Sequence, residues 1–171
     1  MPYFLSPKVM YGKGALKRLC AELQGKGVRA AIITDRTLKD KCSELIESLG
    51  AAGYEITIWD EVEADPTLDI TLAASRFLLE SNPQWVIGFG GGSAIDTAKA
   101  AWVLYERPDL AAGDRTKAIV PKVKLNLRQK ARFVAVPRTS GTGADVTWVA
   151  VLTDRAMNRK IVFAHNDIVP D

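Results

Sequence analysis

The chain has only two cysteines and one histidine among its 171 residues. Cys20 and Cys42 are too few for a disulfide framework and lack CxxC spacing, which predicts a reducing, cytoplasmic setting. The single histidine, His165, excludes a metal site or an acid–base relay built on several histidines of this chain. A lone histidine in a polar turn is most often structural, so we expect His165 at the surface.

Long apolar runs and a strong excess of one charge are also missing. No apolar run approaches the roughly 18 residues of a membrane-spanning helix, and residues 1–10 have too little apolar character for a signal peptide. The 23 Lys and Arg against 20 Asp and Glu leave a net charge of +3. This excess is too small to indicate nucleic acid, so we expect neither a nucleic-acid nor a membrane partner. The composition, with 47% hydrophobic and 25% charged residues, and the length of 171 residues are typical of one folded domain.

Short apolar runs alternate with longer helical patterns between residues 15 and 136. The predicted strands are residues 30–34, 56–59, 85–89 and 133–136. The predicted helices are residues 15–26, 40–52, 68–80 and 94–105, with Thr67 as cap of the third. This alternation predicts an α/β fold with a Rossmann-like doubly wound, mostly parallel sheet, whose strands are covered on both faces.

The pattern changes after the fourth predicted helix. Residues 106–130 predict a long excursion with room for a short helix and a run of solvated basic side chains. Segments 146–153 and 160–164 predict an antiparallel β-hairpin near the C-terminus. At the other end, residues 8–11 are a candidate edge strand.

A glycine-rich loop follows the third predicted strand in the segment WVIGFGGGSAIDTAKA, residues 85–100. Glycines let backbone N–H groups approach an anion, and the free N–H groups of a helix start carry partial positive charge. Ser93 is the predicted N-cap, with Asp96 at capping-box spacing. The alternative is a tight turn that is glycine-rich by chance. Neither the usual dinucleotide fingerprint nor a Walker A spacing fits, so the pattern alone indicates phosphate or nucleotide.

A second loop, in VAVPRTSGTGADVTWVAVLTD at residues 134–154, follows the fourth predicted strand. Thr139, Ser140 and Thr142 offer several hydroxyls to one ligand. Ser140 is not predicted as a hydrolase nucleophile, because the GxSxG frame is missing.

Together, GGGSAIDTAKA and VPRTSGTGADVT resemble the iron-containing (group III) alcohol dehydrogenase family, which carries GGGSxxDxxKA and VPTTSGTGSEVT-like motifs at about this separation. KAAWVLYERPDL and HNDIVPD resemble the alcohol dehydrogenase half of bifunctional aldehyde–alcohol dehydrogenases. The resemblance implies that residues 1–171 are one dinucleotide-binding domain, like the N-terminal domain of dehydroquinate synthase. It also implies a homodimer and a small alcohol or aldehyde as substrate. The helical domain that carries the family's divalent iron or zinc ligands is then missing, and the chain alone is inactive.

The resemblance also implies which residues bind the cofactor. Gly91, Gly92 and Ser93 would hold the NAD pyrophosphate, and the second loop would line the adenosine side. The full implied set is Gly91, Gly92, Ser93, Asp96, Thr139, Ser140, Thr142 and Lys160, with Asp96 facing the site and Lys99 structural. A polyol dehydrogenase, a dehydroquinate synthase-like enzyme and a non-catalytic nucleotide-binding module remain alternatives.

Two charged residues bear on the choice of cofactor. Asp35 ends the first predicted strand, where a carboxylate accepts hydrogen bonds from a ribose 2′-OH and repels a 2′-phosphate. This favours NAD over NADP, and the alternative for Asp35 is an acid at a helix start. Arg138 replaces the first threonine of the family's Thr-Thr pair. A cation beside the nucleotide weakens the preference for NAD and leaves NADP open.

Overall fold

The structure, a computed structural model, describes residues 6–23, 28–111 and 124–171. Four strands form a parallel sheet in the order β2-β1-β3-β4, and two more form an antiparallel hairpin. The strands are β1 (Arg29–Ile33), β2 (Glu55–Trp59), β3 (Trp85–Gly90), β4 (Arg132–Pro137), β5 (Val149–Asp154) and β6 (Arg159–Ala164). The predicted α/β fold, with its parallel sheet and C-terminal hairpin, is confirmed.

Helices cover both faces of the parallel sheet. They are α1 (Ala15–Glu22), α2 (Ser43–Ala51), α3 (Leu68–Ser81) and α4 (Gly92–Glu106), with 3₁₀ turns at Lys39–Cys42, Pro108–Ala111 and Asn166–Ile168. In β1, Ala31 and Ile33 pack into the core under α3 and α4, whereas Ala30 and Ile32 pack into the core under α1 and α2. Because successive side chains point to opposite faces, a strand covered on both sides must be apolar throughout.

Several boundaries differ from the prediction. β5 begins at Val149 and not at residue 146, because the N–H of Val146 donates to the Gly143 carbonyl in a turn at 3.0 Å. The second helix opens with a 3₁₀ turn, and residues 8–11 form no strand with any described residue. The end of the predicted first helix, at residues 24–26, lies outside the described residues, as do residues 112–123 of the predicted excursion.

Local capping agrees with the sequence at α3. The Thr67 hydroxyl accepts a hydrogen bond from the Ile70 N–H at 3.2 Å, as predicted for this N-cap. His165 does lie in a turn, but its side chain is only 12% exposed, so the prediction of a surface position is wrong. Its Nδ1 accepts the Asp167 N–H at 3.0 Å, which orders the following 3₁₀ turn.

The predicted run of solvated basic side chains is wrong at Arg128. Its guanidinium bonds the Asp171 carboxylate at 2.8 Å and donates to the Asp167 and Val169 carbonyls at 2.8 and 2.7 Å. It also lies 5.2 Å from the ring centroid of Trp102 on α4. Arg128 therefore ties the end of the chain to the core, whereas Arg115, Lys117 and Lys122 lie outside the described residues.

Candidate functional site

The carboxyl ends of β1, β3 and β4 bring the two glycine-rich loops and Asp35 to one edge of the sheet. The chain runs outward from β1 to β2 and then returns to the opposite side of β1 to form β3. The crevice at such a switch point is the usual ligand site of an open parallel sheet. Asp35 follows β1, and the first glycine loop follows β3, so both border this crevice.

The backbone conformation and the packing at position 90 both require a glycine. Its φ is 147°, a conformation that L side chains rarely adopt, and a Cβ there would lie 2.8 Å from the Cβ of Ala94. The same Cβ position lies 3.8 Å from the Oδ2 of Asp35. The loop backbone and the Asp35 carboxylate therefore lie side by side.

The second glycine loop packs directly against the first. A Cβ on Gly91 would lie 3.2 Å from Thr139 Oγ1, and a Cβ on Gly92 would lie 2.8 Å from Thr142 Oγ1. A side chain at Gly92 would therefore force the two loops to shift, whereas one at Gly91 would require Thr139 to move by a few tenths of an ångström. The structure thus brings together five predicted site residues, Asp35, Gly91, Gly92, Thr139 and Thr142.

Ser93 does not cap α4, so the predicted capping box is wrong. The N-cap is Gly91, in an extended conformation and without a side-chain hydrogen bond to the helix. The first N–H groups of a helix have no partner within the helix. At α4 they are not taken by a capping side chain, which suits an anion at this terminus.

Asp35 uses its two carboxylate oxygens differently. Oδ1 accepts the backbone N–H groups of Thr37 and Leu38 at 3.0 and 3.1 Å and also the Thr37 hydroxyl. Oδ2 is the oxygen near Gly90. Thr37 was missed in the sequence, although an Asp followed two residues later by Thr is a signal of this turn. The turn agrees with the alternative of an acid at a helix start, whereas a contact between Oδ2 and a ribose stays a prediction.

Asp96 and Lys99, one turn apart on α4, contact the hairpin. Asp96 Oδ2 accepts the Val151 N–H at 3.0 Å, and its buried Oδ1 has no partner among the described residues. The ammonium of Lys99 is fully buried and donates to the Thr147 and Val149 carbonyls at 2.5 and 3.1 Å. Burial raises the pKa of Asp96 and lowers the pKa of Lys99 to about 8. These two side chains fasten β5 to α4.

Lys160 and Ser140 are exposed. The ammonium of Lys160 donates to Asp65 at 2.7 Å and to the Thr153 hydroxyl at 2.9 Å, and neither partner belongs to the glycine loops. The hydrogen bond to Lys160 lowers the pKa of Asp65. Ser140 lies on the second loop. Their predicted contacts with a cofactor stay predictions.

No group of three or more His, Cys, Asp or Glu side chains within residues 6–23, 28–111 and 124–171 could hold a metal ion. Within the same part of the chain, no helix is long and apolar enough to cross a membrane.

The fold and the glycine-lined edge define an α/β domain of the nucleotide-binding type. The model of the iron-containing alcohol dehydrogenases matches residues 6–171, and the chain belongs to this family. The family is enzymatic, and its members use NAD(P) and iron. The resemblance seen in the two motifs is therefore confirmed.

Individual relatives agree with this assignment. The chain is 35% identical to the NADPH-dependent butanol dehydrogenase of Clostridium saccharobutylicum, matching 100% of this chain and 43% of that protein. It is 37% identical to the bifunctional aldehyde-alcohol dehydrogenase AdhE of Escherichia coli, matching 98% of this chain and 20% of that protein. Among solved structures, the iron-containing alcohol dehydrogenase of Thermococcus thioreducens is 29% identical with a TM-score of 0.83. It matches 99% of this chain and 45% of that one.

The chain thus spans less than half the length of these relatives. They are alcohol dehydrogenases, so the polyol dehydrogenase, dehydroquinate synthase-like and non-catalytic alternatives are not favoured.

Proposed function

We propose that this chain binds a nicotinamide dinucleotide and forms the cofactor-binding part of an iron-type alcohol dehydrogenase. The observation that carries the proposal is the close packing of Gly91 and Gly92 against Thr139 and Thr142, which leaves no free room for a side chain at Gly92 and little at Gly91. A bare backbone beside an uncapped helix N-terminus suits a pyrophosphate, which needs close N–H donors and little else. The group fits the residues that are present.

The residues at this edge have separate roles in the proposal. The N–H groups at the start of α4 hold the pyrophosphate, with Ser93 beside them. Thr139, Ser140 and Thr142 line the adenosine side. When bound, the nicotinamide ring supplies the hydride chemistry between a primary alcohol and its aldehyde. The chain orients the cofactor and holds its phosphates.

Asp35 favours NAD in this proposal. Its Oδ1 is held by the turn at Thr37 and Leu38, so Oδ2 has a fixed direction beside Gly90. A fixed carboxylate accepts a hydrogen bond from a ribose 2′-OH and repels a 2′-phosphate. Asp96 and Lys160 remain predicted cofactor contacts, although their observed partners lie on the hairpin and at Asp65.

The wider context is also proposed. Residues 1–171 form one dinucleotide-binding domain of a cytoplasmic homodimeric enzyme, and iron or zinc is held by residues outside the part of the chain that the structure describes. The described residues offer no ligand cluster for the iron of the family, so we assign no metal ligand and no metal-dependent step to them.

Titration of the purified chain with NADH and with NADPH, followed by fluorescence, tests the proposal. We expect saturable binding of NADH, weakened about tenfold in Asp35→Asn, because the amide keeps an oxygen for the turn but loses the charged acceptor. Asp69→Asn, on the first turn of α3, removes the same charge away from the loops and is the matched control. Saturable binding of neither dinucleotide would refute the proposal. Appreciable alcohol-dependent reduction of NAD by this chain alone would refute the expectation that it is inactive.

A further inference from the structure

Arg138 places a positive charge, its own guanidinium, at the carboxyl edge of the sheet. Its N–H donates to the Gly90 carbonyl at 2.8 Å, and its guanidinium carbon lies 5.7 Å from the ring centroid of Phe89. A cation over an aromatic face is attracted by the ring, which favours this position of the guanidinium. Arg138 is exposed and forms no ion pair with a carboxylate in the part of the chain that the structure describes.

Arg138 and Asp35 both border Gly90. The Arg138 backbone bonds the Gly90 carbonyl, and Asp35 Oδ2 lies 3.8 Å from the position of a Gly90 Cβ. The charges of Arg138 and Asp35 also both influence the pKa of the buried Cys42 thiol. Burial raises the pKa of the Cys42 thiol, and among the weaker influences Arg138 lowers that pKa while Asp35 raises it. The Asp35 carboxylate and the residue that carries the Arg138 guanidinium thus lie at the same carboxyl edge of β1 and β3.

We propose that Arg138 is a specificity residue that binds the 2′-phosphate of NADPH and so offsets the repulsion from Asp35. A guanidinium presents a planar set of donors that matches phosphate, whereas the ribose 2′-OH of NADH offers it no charge. With Asp35 alone the site discriminates strongly against a 2′-phosphate. With Arg138 at the same edge of the sheet, the site accepts both dinucleotides. The inference rests on the proposed function, because it concerns the same cofactor site.

The test compares Arg138→Thr with Arg132→Thr. Arg132 is a matched control, because it is also exposed and also lies over an aromatic ring, 5.8 Å from the centroid of Trp85, but at the amino end of β4. NADH and NADPH are titrated against each variant at matched low salt. We expect Arg138→Thr to weaken NADPH about tenfold, the loss of one charge-assisted hydrogen bond, and to leave NADH within about twofold. Arg132→Thr leaves the ratio of the two affinities unchanged.

A third variant, Arg138→Lys, keeps the charge and loses the planar set of donors. We expect its NADPH affinity to lie between those of the wild type and Arg138→Thr, and it serves as the test if the threonine variant does not fold. Added salt should weaken NADPH more than NADH in the wild type, because the extra contact is between charges.

The outcomes separate the two proposals. If NADH binds saturably and the NADPH-to-NADH ratio is the same in Arg138→Thr as in the wild type, this inference is overturned and the proposed function stands. An equal change in Arg132→Thr also overturns it, because the effect is then one of net charge. If neither dinucleotide binds to the wild-type chain, the proposed function and the inference fall together.

Discussion

The contact between Gly92 and Thr142 predicts that a single methyl group will separate the two loops. In Gly92→Ala the new Cβ would lie 2.8 Å from Thr142 Oγ1 and 3.2 Å from Thr142 Cγ2. Because threonine is β-branched, few rotamers move both atoms away at once, so the loop itself must shift. Overpacking of this kind costs about 1–3 kcal/mol.

A control separates this clash from the ordinary effect of replacing a glycine. Gly50 lies in α2, and a Cβ there would have no atom within 4 Å. Gly50→Ala should therefore raise the free energy of unfolding by up to about 1 kcal/mol, the usual gain in a helix. In Gly92→Ala the gain in helix propensity is smaller, because residue 92 is the first position of its helix, and the clash with Thr142 outweighs it. We therefore expect this variant to lower the free energy of unfolding by about 1–2 kcal/mol.

Urea unfolding of four proteins measures the coupling directly. They are the wild type, Gly92→Ala, Thr142→Ala and the double variant. Thr142→Ala removes both clashing atoms and leaves only the Thr142 Cβ position, 3.6 Å from the new methyl group, an ordinary contact. We expect the double variant to recover at least about 1 kcal/mol relative to the sum of the single changes. Full stability of Gly92→Ala with no coupling to Thr142 would refute the packing of the two loops.

Two further predictions concern buried charges outside the loops. Lys99→Met removes the donor to the Thr147 and Val149 carbonyls, at and just before the start of β5, and should lower the free energy of unfolding by about 2–4 kcal/mol in urea. Burial lowers the pKa of Lys99 to about 8, below the unfolded value of about 10.4. Between these values the unfolded chain binds the extra proton, so this residue makes stability rise with pH from about 8 to about 10. The stability difference between wild type and Lys99→Met, measured across that range, should grow with pH, and a flat difference would contradict the lowered pKa. Glu106 accepts three N–H groups of residues 129–131 at 2.7–3.0 Å. Glu106→Ala should therefore lower the free energy of unfolding by about 2–4 kcal/mol. The control Glu63→Ala breaks an exposed ion pair with Arg155 and should lower it by less than about 1 kcal/mol. Equal losses in the two variants would contradict the role of Glu106.

The sequence was sufficient for the parallel sheet but not for the details of its loops. The apolar pairs in β1 predict a strand covered on both faces, because each face needs its own apolar side chain. The glycine loop and the loop after β4 were both found from their composition. Their mutual packing was not, because a contact between Gly92 and Thr142 depends on strands β3 and β4 being neighbours. Ser93 was predicted as the N-cap from residue preference, but the helix begins two residues earlier than predicted, at Gly92 with Gly91 as its N-cap.

The polar residues of α4 show why motif position alone does not determine a role. One edge of β5 pairs with β6, and the backbone groups of Val149, Val151 and Thr153 point to the other edge. An unpaired strand edge would invite pairing with another chain. In this structure that edge is occupied without a further strand. Lys99 donates to the Val149 carbonyl, Asp96 accepts the Val151 N–H, and the Thr153 N–H donates to a carbonyl just before α3. The helix whose start borders the glycine cradle therefore also closes the edge of the hairpin, so a displacement of α4 would disturb both.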